Sequence, residues 1–219
     1  MPSSKPAAFF DFDKTLLTTN SAKLGMWYLY KRGMLPASFA AFAGMFNLFY
    51  KRHIISEERM ARILILYYRG KRLSDFEEGA EYFYHHYLKP KLSPGMLSRL
   101  SWHHKRGHVC VLISGSIRYY LTAVARDLGF HHLLCTDLEV GPDGLLTGRP
   151  SVLCVDATKA SLAADLARTQ NLDLGASYAY GNHQSDIPLL EMVGHPFAVA
   201  PTHPLLKTAA QRGWPVLGF

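Results

Sequence analysis

Two aspartates near the N-terminus, Asp11 and Asp13, follow directly on an apolar run. The run from Ala7 to Phe12 predicts a short buried strand, and residues two apart on a strand point to the same side. If the strand ends near Asp11, both acids project from its carboxyl edge, which is where open α/β sheets bind ligands. Burying two acids together costs free energy unless a cation or a proton offsets their charge. The pair therefore indicates a functional site at the edge of an α/β sheet.

The rest of the chain divides into two parts with different predicted secondary structure. The segment from about Asn20 to Lys91 reads as helix throughout, with no convincing strand pattern. From Ser93 onward, apolar strand-like runs alternate with helical stretches, which predicts a parallel sheet covered on both faces. The predicted strands of this second part cover 108–113, 133–140, 145–148, 177–180 and 196–200, with a hairpin turn at 141–144. The helical segment is therefore expected to be an insert into an α/β core.

Composition narrows the class of partner. The 219 residues are 48% hydrophobic, which is enough for a real core, and the net charge of +7 with a pI near 9.3 favours an anionic partner. The basic residues are spread thinly and no nucleic-acid motif is recognisable, so a small anion is the simpler interpretation and no nucleic acid is expected.

Cysteine and apolar patterns bear on the compartment. Cys110 and Cys135 lie in strand-like runs and are expected to be core thiols, with Cys154 far from both. The apolar stretch from Leu35 to Tyr50 is short for a membrane span. Because the first strand begins within ten residues, no signal peptide is expected, and a cytoplasmic location fits best.

Four points fall at predicted strand ends or helix starts: Asp11 with Asp13, Ser114, Lys159, and the loop Gly181-Asn182-His183-Gln184-Ser185-Asp186. Each of them alone is a weak signal, since an Asp-x-Asp pair, a Ser after a strand or a Lys in a first helical turn is common. Their order and placement together are much more specific, and an α/β domain with incidental acids is the disfavoured interpretation.

With these motifs the chain resembles the haloacid dehalogenase superfamily, in particular the phosphoserine phosphatase-like branch (subfamily IB, with a helical C1-type cap). The resemblance rests on Asp-x-Asp-x-Thr at 11–15, Leu-Ile-Ser-Gly-Ser around Ser114, Lys159, and Gly-x-x-x-x-Asp at 181–186. It covers the chain from Phe9 nearly to the end. It implies a three-layer Rossmann-like core with a parallel sheet, formed by residues 1–19 and 93–219, and an inserted all-helical cap at 20–92.

The resemblance also implies roles that suit the residue types. Asp11 would be the nucleophile that forms an aspartyl-phosphate, and Asp13 the general acid and base. Superfamily dehalogenases usually lack the second Asp, so Asp13 favours phosphoryl transfer. Phosphate would be bound by a set of polar groups: Thr15, Ser114, Gly115 and Lys159.

A Mg²⁺ ion is the implied cofactor, held by Asp11, the Asp13 carbonyl, Asn182 and Asp186. The family usually has Asp where this chain has Asn182, so weaker Mg²⁺ binding is expected, with Asp186 taking a larger share. His183, Arg118 and Asn20 are candidate substrate contacts, although His183 could equally pack at the rim and Arg118 could equally be an exposed first-turn residue.

The expected function is a Mg²⁺-dependent phosphomonoesterase acting on a small phosphorylated metabolite. Phosphoserine phosphatases place a Glu shortly after the first motif, whereas residues 14–56 of this chain contain no acid, so phosphoserine is disfavoured. Two alternatives stay open: a degenerate phosphate-binding module without turnover, and a membrane-surface-associated phosphatase acting on a lipid-related phosphate. The oligomeric state is not predicted.

Two further patterns have competing interpretations. The aromatic stretches 27–30 and 39–50, flanked by basic pairs, could bind lipid, but packing inside a helical cap is favoured. The doublets His85-His86, His103-His104 and His131-His132 are expected to be surface or boundary residues, because adjacent histidines on a helix diverge and no Cys or acid spacing completes a transition-metal site.

Overall fold

The computed structural model describes residues 4–52 and 54–219, and its centre is a seven-stranded sheet in the order β4-β3-β2-β1-β5-β6-β7. Neighbouring strands are parallel except for the antiparallel β3–β4 pair. The strands are β1 (Lys5–Phe10), β2 (Val109–Ile117), β3 (His132–Val140), β4 (Leu146–Val152), β5 (Leu172–Gly181), β6 (His195–Val199) and β7 (Val216–Leu217). The predicted α/β class is confirmed, with β4 longer than expected and β7 not predicted.

Helices lie on both faces of this sheet and in the insert between β1 and β2. They are α1 (Ser21–Lys31), α2 (Ala37–Lys51), α3 (Glu57–Ile65), α4 (Ser74–Glu77), α5 (Ala80–Phe83), α6 (Pro94–Lys105), α7 (Arg118–Asp127), α8 (Ala157–Thr169), α9 (Ile187–Glu191) and α10 (His203–Arg212). Shorter helical turns cover Leu66–Tyr68, Tyr84–Leu88, Lys89–Lys91 and Gln184–Asp186.

The central strand β1 is buried on both faces, which explains its continuous apolar run. Ala8 and Phe10 belong to one hydrophobic cluster, together with side chains from α6 and α7. Ala7 and Phe9 belong to a second cluster, which α8, α9 and α10 cover. The result is the expected three-layer arrangement, with β1 carrying the chain to the middle of the carboxyl edge.

The strand ends earlier than the predicted Ala7–Phe12, because the chain turns directly after Phe10. The N–H of Asp11 still donates to the carbonyl of Tyr180 at 2.9 Å, after which Leu17 donates back to Phe12 at 2.8 Å. Lys14 has φ +56°, the left-handed conformation that closes this turn. The turn fixes Asp11 and Asp13 at the sheet edge.

The insert, residues 20–92 and here called the cap segment, is helical wherever it is regular, as expected. A third hydrophobic cluster ties it to the core, because Leu29, Tyr67 and Tyr68 pack with Leu146 of β4. The N–H of Gly70 also donates to the Leu146 carbonyl at 2.8 Å. The core and cap boundaries at 19 and 92 remain a prediction.

Two predictions about packing are wrong. Helix α2 is not core, because only Ala43 of its fifteen residues is fully buried. His103 is not at the surface: it is fully buried and its ring hydrogen-bonds His108 at 2.8 Å and the Tyr180 hydroxyl at 2.9 Å. Burial in this network lowers the pKa of His103 to about 3, so the ring is a neutral core group.

The three cysteines are buried free thiols, which confirms the prediction for Cys110 and Cys135. The structure also brings ligand atoms of His104, Cys110 and His131 within 4.8 Å of one another, which sequence spacing did not indicate. Nδ1 of His131 accepts the Cys110 N–H at 3.0 Å, and burial raises the pKa of the Cys110 thiol to about 12. Within 4–52 and 54–219, no helix combines the length and apolarity that crossing a bilayer requires.

Candidate active site

Asp11 lies at the end of β1 with both carboxylate oxygens engaged. Oδ1 accepts a hydrogen bond from Lys159 Nζ at 2.7 Å, and Oδ2 accepts one from Thr15 Oγ1 at 3.0 Å. Burial raises the pKa of Asp11 to about 7, although the Lys159 charge opposes the rise. These two contacts hold the carboxylate in one orientation, in which it lines a cavity between the sheet edge and the cap segment.

Lys159 lies in the first turn of α8 and joins two acids. Its Nζ donates to Asp11 Oδ1 and to Asp186 Oδ1 at 2.6 Å, and all three side chains are almost completely buried. Burial alone would lower the pKa of Lys159, but the charges of Asp11 and Asp186 more than offset this and raise it well above its usual value. Lys159 is therefore a permanent cation beside Asp11, the residue that the motif predicts as the nucleophile.

Asp13 is held by two serines. Its Oδ2 accepts hydrogen bonds from Ser116 Oγ at 2.7 Å and Ser21 Oγ at 3.0 Å, and its Oδ1 accepts one from the Ser21 N–H. The Ser21 hydroxyl also lies 3.1 Å from the Tyr120 hydroxyl. Burial raises the pKa of Asp13, against the opposing effect of these donors. A raised pKa suits a carboxyl group that must carry a proton during a reaction cycle.

The Ser114 segment approaches the same cavity from β2. Ser114 is buried, and its Oγ accepts the Ser116 N–H at 3.1 Å. A side chain at Gly115 would meet Val155 Cγ1 at 3.1 Å, so the small residue lets the backbone pass close to the α8 loop. The arrangement leaves hydroxyl and N–H groups beside Lys159, a combination suited to a phosphate group.

The loop after β5 is organised by Asp186. Its Oδ2 accepts the N–H groups of Asn182 and His183, both at 3.0 Å, while its Oδ1 is bound by Lys159. Asp186 thus has both oxygens occupied by protein groups and orients the loop. The Asn182 side chain lines the cavity and forms no hydrogen bond with any residue in 4–52 and 54–219.

The donor set fits a hard cation such as Mg²⁺. Asp11, Asp13 and Asp186 contribute three acidic groups, and Lys159 is the cation in direct contact with two of them. Burial is the main cause of the raised pKa of Asp11, and the charges of Asp186 and Asp13 add to the rise. The free oxygen of the Asn182 carboxamide adds a neutral ligand of the type that Mg²⁺ accepts.

The cap segment closes the cavity with mostly apolar side chains. The cavity has a volume of about 270 Å³. Its cap-side lining includes Met26, Leu29, Phe39, Met60 and Leu64. Beyond the polar end at Asp11, the space is therefore suited to an apolar or aromatic group.

One cap carboxylate also reaches the cavity. Glu57, at the start of α3, lies with its Oε2 3.0 Å from His183 Nδ1. Burial alone would raise the pKa of Glu57, but the His183 pairing lowers it, and the same pairing raises the pKa of His183. The pair bridges the cap segment and the loop after β5.

The structure brings most of the predicted site residues to one cavity. Its lining includes Asp11, Asp13, Asn20, Ser114, Gly115, Lys159, Asn182, His183 and Asp186. Thr15 lies behind the cavity and acts on Asp11. Asn20 caps α1 by accepting the Lys23 N–H at 2.9 Å. Arg118 instead forms a two-point ion pair with Asp137 and does not line the cavity, so a substrate contact by Arg118 stays a prediction.

The polar cavity residues that were not predicted from the sequence include Ser21, Glu57 and Tyr120. The Ser56-Glu57-Glu58 pattern predicts a helix start, and the Ser56 side chain does accept the Arg59 N–H at 3.2 Å. The position of Glu57 in the cavity depends on how the cap segment folds over the core. No local sequence pattern encodes that.

The arrangement of these residues agrees with the family to which the sequence is assigned. Residues 8–191 match the haloacid dehalogenase-like hydrolase family, and the chain belongs to it. The predicted superfamily and the prediction of a hydrolase are thereby confirmed.

Relatives and solved structures agree with this assignment. The chain is 31% identical to the inhibition of morphological differentiation protein of Streptomyces azureus, over 98% of this chain and 79% of that protein. It is 30% identical to a histidinol-phosphatase of Neisseria meningitidis, over 98% and 99% of the two chains. A Bordetella pertussis protein of unknown function has a similar structure, with 27% identity, a TM-score of 0.88 and coverage of 98% and 99%. A substrate-bound phosphoserine phosphatase shares the fold, at 18% identity, a TM-score of 0.69 and coverage of 99% and 94%.

Replacing Lys159 by Met tests the buried charge cluster. The change leaves Asp11 and Asp186 buried without their shared cation, so we expect the free energy of unfolding at neutral pH to fall by about 3 kcal/mol. Urea denaturation measures this. The second change Asp186→Asn in the same chain should restore part of the loss. The exposed Lys207→Met is the matched control, expected within about 0.5 kcal/mol of wild type. Equal effects of the two Lys→Met changes would show that the cluster does not stabilise the fold.

Proposed function

We propose that this protein is a Mg²⁺-dependent phosphomonoesterase that hydrolyses a small phosphorylated metabolite through an aspartyl-phosphate on Asp11. The observation that carries the proposal is the Asp11 carboxylate, held by Lys159 and Thr15 and directed into a cavity that also contains Asp13. The ionised carboxylate attacks phosphorus without a separate base, and the Lys159 cation favours that ionised form against the burial that raises the pKa of Asp11 to about 7.

Phosphate binding follows from the groups around Asp11. Lys159 supplies a fixed positive charge, while Ser114 Oγ and the Gly115 backbone offer hydrogen bonds to the phosphoryl oxygens. These groups are held in place before substrate arrives, so they stabilise charge on the transferring phosphoryl group at little reorganisation cost.

The chemistry then divides between the two aspartates. An oxygen of Asp11 forms a bond to phosphorus as the bond from phosphorus to the substrate oxygen breaks, and Asp13 gives its proton to that leaving oxygen. In the second half, Asp13 takes a proton from a water molecule, which attacks the phosphorus and frees Asp11 and inorganic phosphate. The hydroxyls of Ser21 and Ser116 can donate or accept, so they can hold Asp13 in both protonation states.

The groups that would hold Mg²⁺ are the Asp11 carboxylate, the Asp13 main-chain carbonyl and the Asn182 side-chain oxygen. Asp186, predicted as a ligand, has both oxygens bound by protein groups and would act on the metal by orienting Asn182. Bound Mg²⁺ supplies positive charge beside the phosphoryl group and offsets the excess of acid. The cap segment over the cavity limits the access of water to the acyl phosphate.

The site favours turnover over simple phosphate binding. A module that only bound phosphate would need Lys159 and the Ser114 segment but neither a buried nucleophile nor a carboxyl group with a raised pKa beside it. Both are present, in Asp11 and Asp13.

The cavity lining bears on the substrate. The apolar cap side favours a substrate with an apolar or aromatic part, and it disfavours phosphoserine, which is small and has no apolar or aromatic group. Glu57 adds one negative group at the cap side of the cavity. A second, finer candidate is therefore an aromatic phosphomonoester that carries a cationic amine, such as histidinol phosphate, the substrate named for the Neisseria meningitidis relative.

The nucleophile is tested with Asp11→Asn. We expect hydrolysis of p-nitrophenyl phosphate with Mg²⁺ to fall by more than about a thousandfold, because an amide is a poor nucleophile towards phosphorus. The control is Asp165→Asn, which changes the same side chain at the exposed face of α8. Activity of Asp11→Asn equal to that of the control would refute the assigned nucleophile. A wild-type protein that binds phosphate without turnover with any divalent metal would support the binding-module alternative.

The metal assignment is tested with Asn182→Asp. Restoring a carboxylate at this position should lower the Mg²⁺ concentration for half-maximal activity by about tenfold, the effect of roughly 1.4 kcal/mol of added attraction. Gln170→Glu, which adds the same charge at the exposed end of α8, is the matched control. An unchanged Mg²⁺ requirement in Asn182→Asp would mean that position 182 does not contact the metal.

The substrate candidate is tested with Glu57→Gln. For histidinol phosphate, KM should rise by about tenfold, the effect of one lost charge-assisted hydrogen bond, while hydrolysis of p-nitrophenyl phosphate changes little. Glu58→Gln, the neighbouring exposed acid paired with Arg62, should leave both substrates unaffected. If Glu57→Gln lowers activity on both substrates equally, Glu57 acts through His183 and does not select the substrate.

A further inference from the structure

Helix α2 presents an apolar face to solvent. Its side chains Phe42, Met45, Leu48 and Phe49 are 38%, 47%, 51% and 37% exposed. With Ala41 they follow the spacing i, i+1, i+4, i+7 and i+8, which places them along one side of the helix. We call these five residues the α2 outer face. Contiguous exposed apolar surface of this kind marks an interaction site in a folded protein.

The opposite side of α2 is occupied by the protein itself. Phe39 and Tyr50 line the active-site cavity, and Phe39 packs against Tyr67 with ring centroids 5.4 Å apart. The helix is thus apolar on both sides, although only one side packs on the protein. With fifteen residues it is about 22 Å long, too short to cross a bilayer but long enough to lie on one.

The charged residues of α2 and of the chain just before it have one sign. Residues 14–56 contain no acid, and the exposed basic residues of this stretch include Lys23, Lys31, Lys51 and Arg52. None of these four forms an ion pair with a carboxylate of the described ranges. Lys51 and Arg52 lie at the carboxyl end of α2, adjoining Leu48 and Phe49. The face is an apolar strip with unpaired positive charge at its end.

We propose that the α2 outer face docks on an anionic lipid bilayer, with its aromatic and aliphatic side chains in the interfacial region and Lys51 and Arg52 at the lipid phosphates. The apolar side chains match the hydrocarbon boundary of such a bilayer, and the unpaired basic residues match its negatively charged headgroups. A second copy of this chain matches it less well, because a two-fold contact through this face would bring the basic ends of both copies into one interface to which α2 itself supplies no acid. The proposal concerns where the protein binds and does not depend on which phosphomonoester it hydrolyses.

Vesicle co-sedimentation tests the proposal with the full chain. Wild-type protein should bind vesicles of equimolar phosphatidylglycerol and phosphatidylcholine and bind pure phosphatidylcholine vesicles much less. Added salt should weaken the binding, because part of the attraction is between charges near the surface. Failure to bind the anionic vesicles at low salt overturns the proposal.

Two double variants separate the contributions. Met45→Ser with Phe49→Ser should weaken binding by about tenfold or more, since both side chains would lose apolar burial. Lys51→Glu with Arg52→Glu should weaken binding to anionic vesicles by at least about tenfold. None of the four residues lines the cavity, so hydrolysis of p-nitrophenyl phosphate without vesicles should not change, which also reports that each variant is folded.

The matched controls lie outside the cap segment, in α6, α10 and β7. Leu206→Ser with Val216→Ser replaces two apolar residues of similar exposure, and Lys105→Glu with Lys207→Glu makes the same change of net charge. Both controls should bind as wild type does. If the control variants weaken vesicle binding as much as the α2 variants do, the protein does not bind the vesicles through α2 and the proposal fails. A dimer in size-exclusion chromatography that Met45→Ser with Phe49→Ser dissociates, without vesicle binding, would assign the face to a second copy.

Discussion

Lys159 supplies the positive charge that allows two carboxylates to be buried together at the candidate active site. Its Nζ lies 2.7 Å from Asp11 and 2.6 Å from Asp186, at a depth where each carboxylate alone would be costly to ionise. The same contacts have two structural consequences. They hold Asp11, the proposed nucleophile, in a fixed orientation, and through Asp186 they position the backbone that carries Asn182. The buried cation therefore couples the stability of the carboxyl edge to the geometry of the chemistry.

This cluster forms only because three distant segments end at one edge of the sheet. Strand β1 lies in the middle and pairs with β2 and β5, so Asp11, Ser114 and the loop after Gly181 are neighbours although up to 171 positions separate them in sequence (11 to 182). The carboxyl edge of a parallel sheet gathers chain ends from several strands, which is why chemistry in such folds lies there.

That edge explains which parts of the site could be predicted from sequence. Asp11, Ser114 and Lys159 each follow an apolar run or open a helix, so local pattern and chain order were enough to place them together. Ser21 and Glu57 belong to helix starts of the cap segment, and their role depends on how that segment folds over the core. A local pattern can also mislead: the sequence Ser74-Asp75-Phe76-Glu77 has the form of a capping box, but the short helix α4 has Leu73 as its N-cap, with no side-chain hydrogen bond. The apolar residues of α2 were expected to pack in a core because they are hydrophobic. Hydrophobicity alone does not determine whether the protein itself or another molecule covers a helix face.

The two sides of α2 connect the site to the protein surface. Phe39 and Tyr50 form part of the cavity wall that faces the polar end at Asp11, while Phe42 and Phe49 on the same helix are exposed. Because α2 packs on the protein through a single side, whatever binds its outer face also restrains part of the cavity wall. The Glu57–His183 pair is the polar counterpart, joining the next helix to the loop of Asn182. The cap segment thus reaches the carboxyl edge through the Glu57–His183 pair, through the hydrogen bonds of Ser21 to Asp13 and through an apolar wall, and a substrate must fit between them.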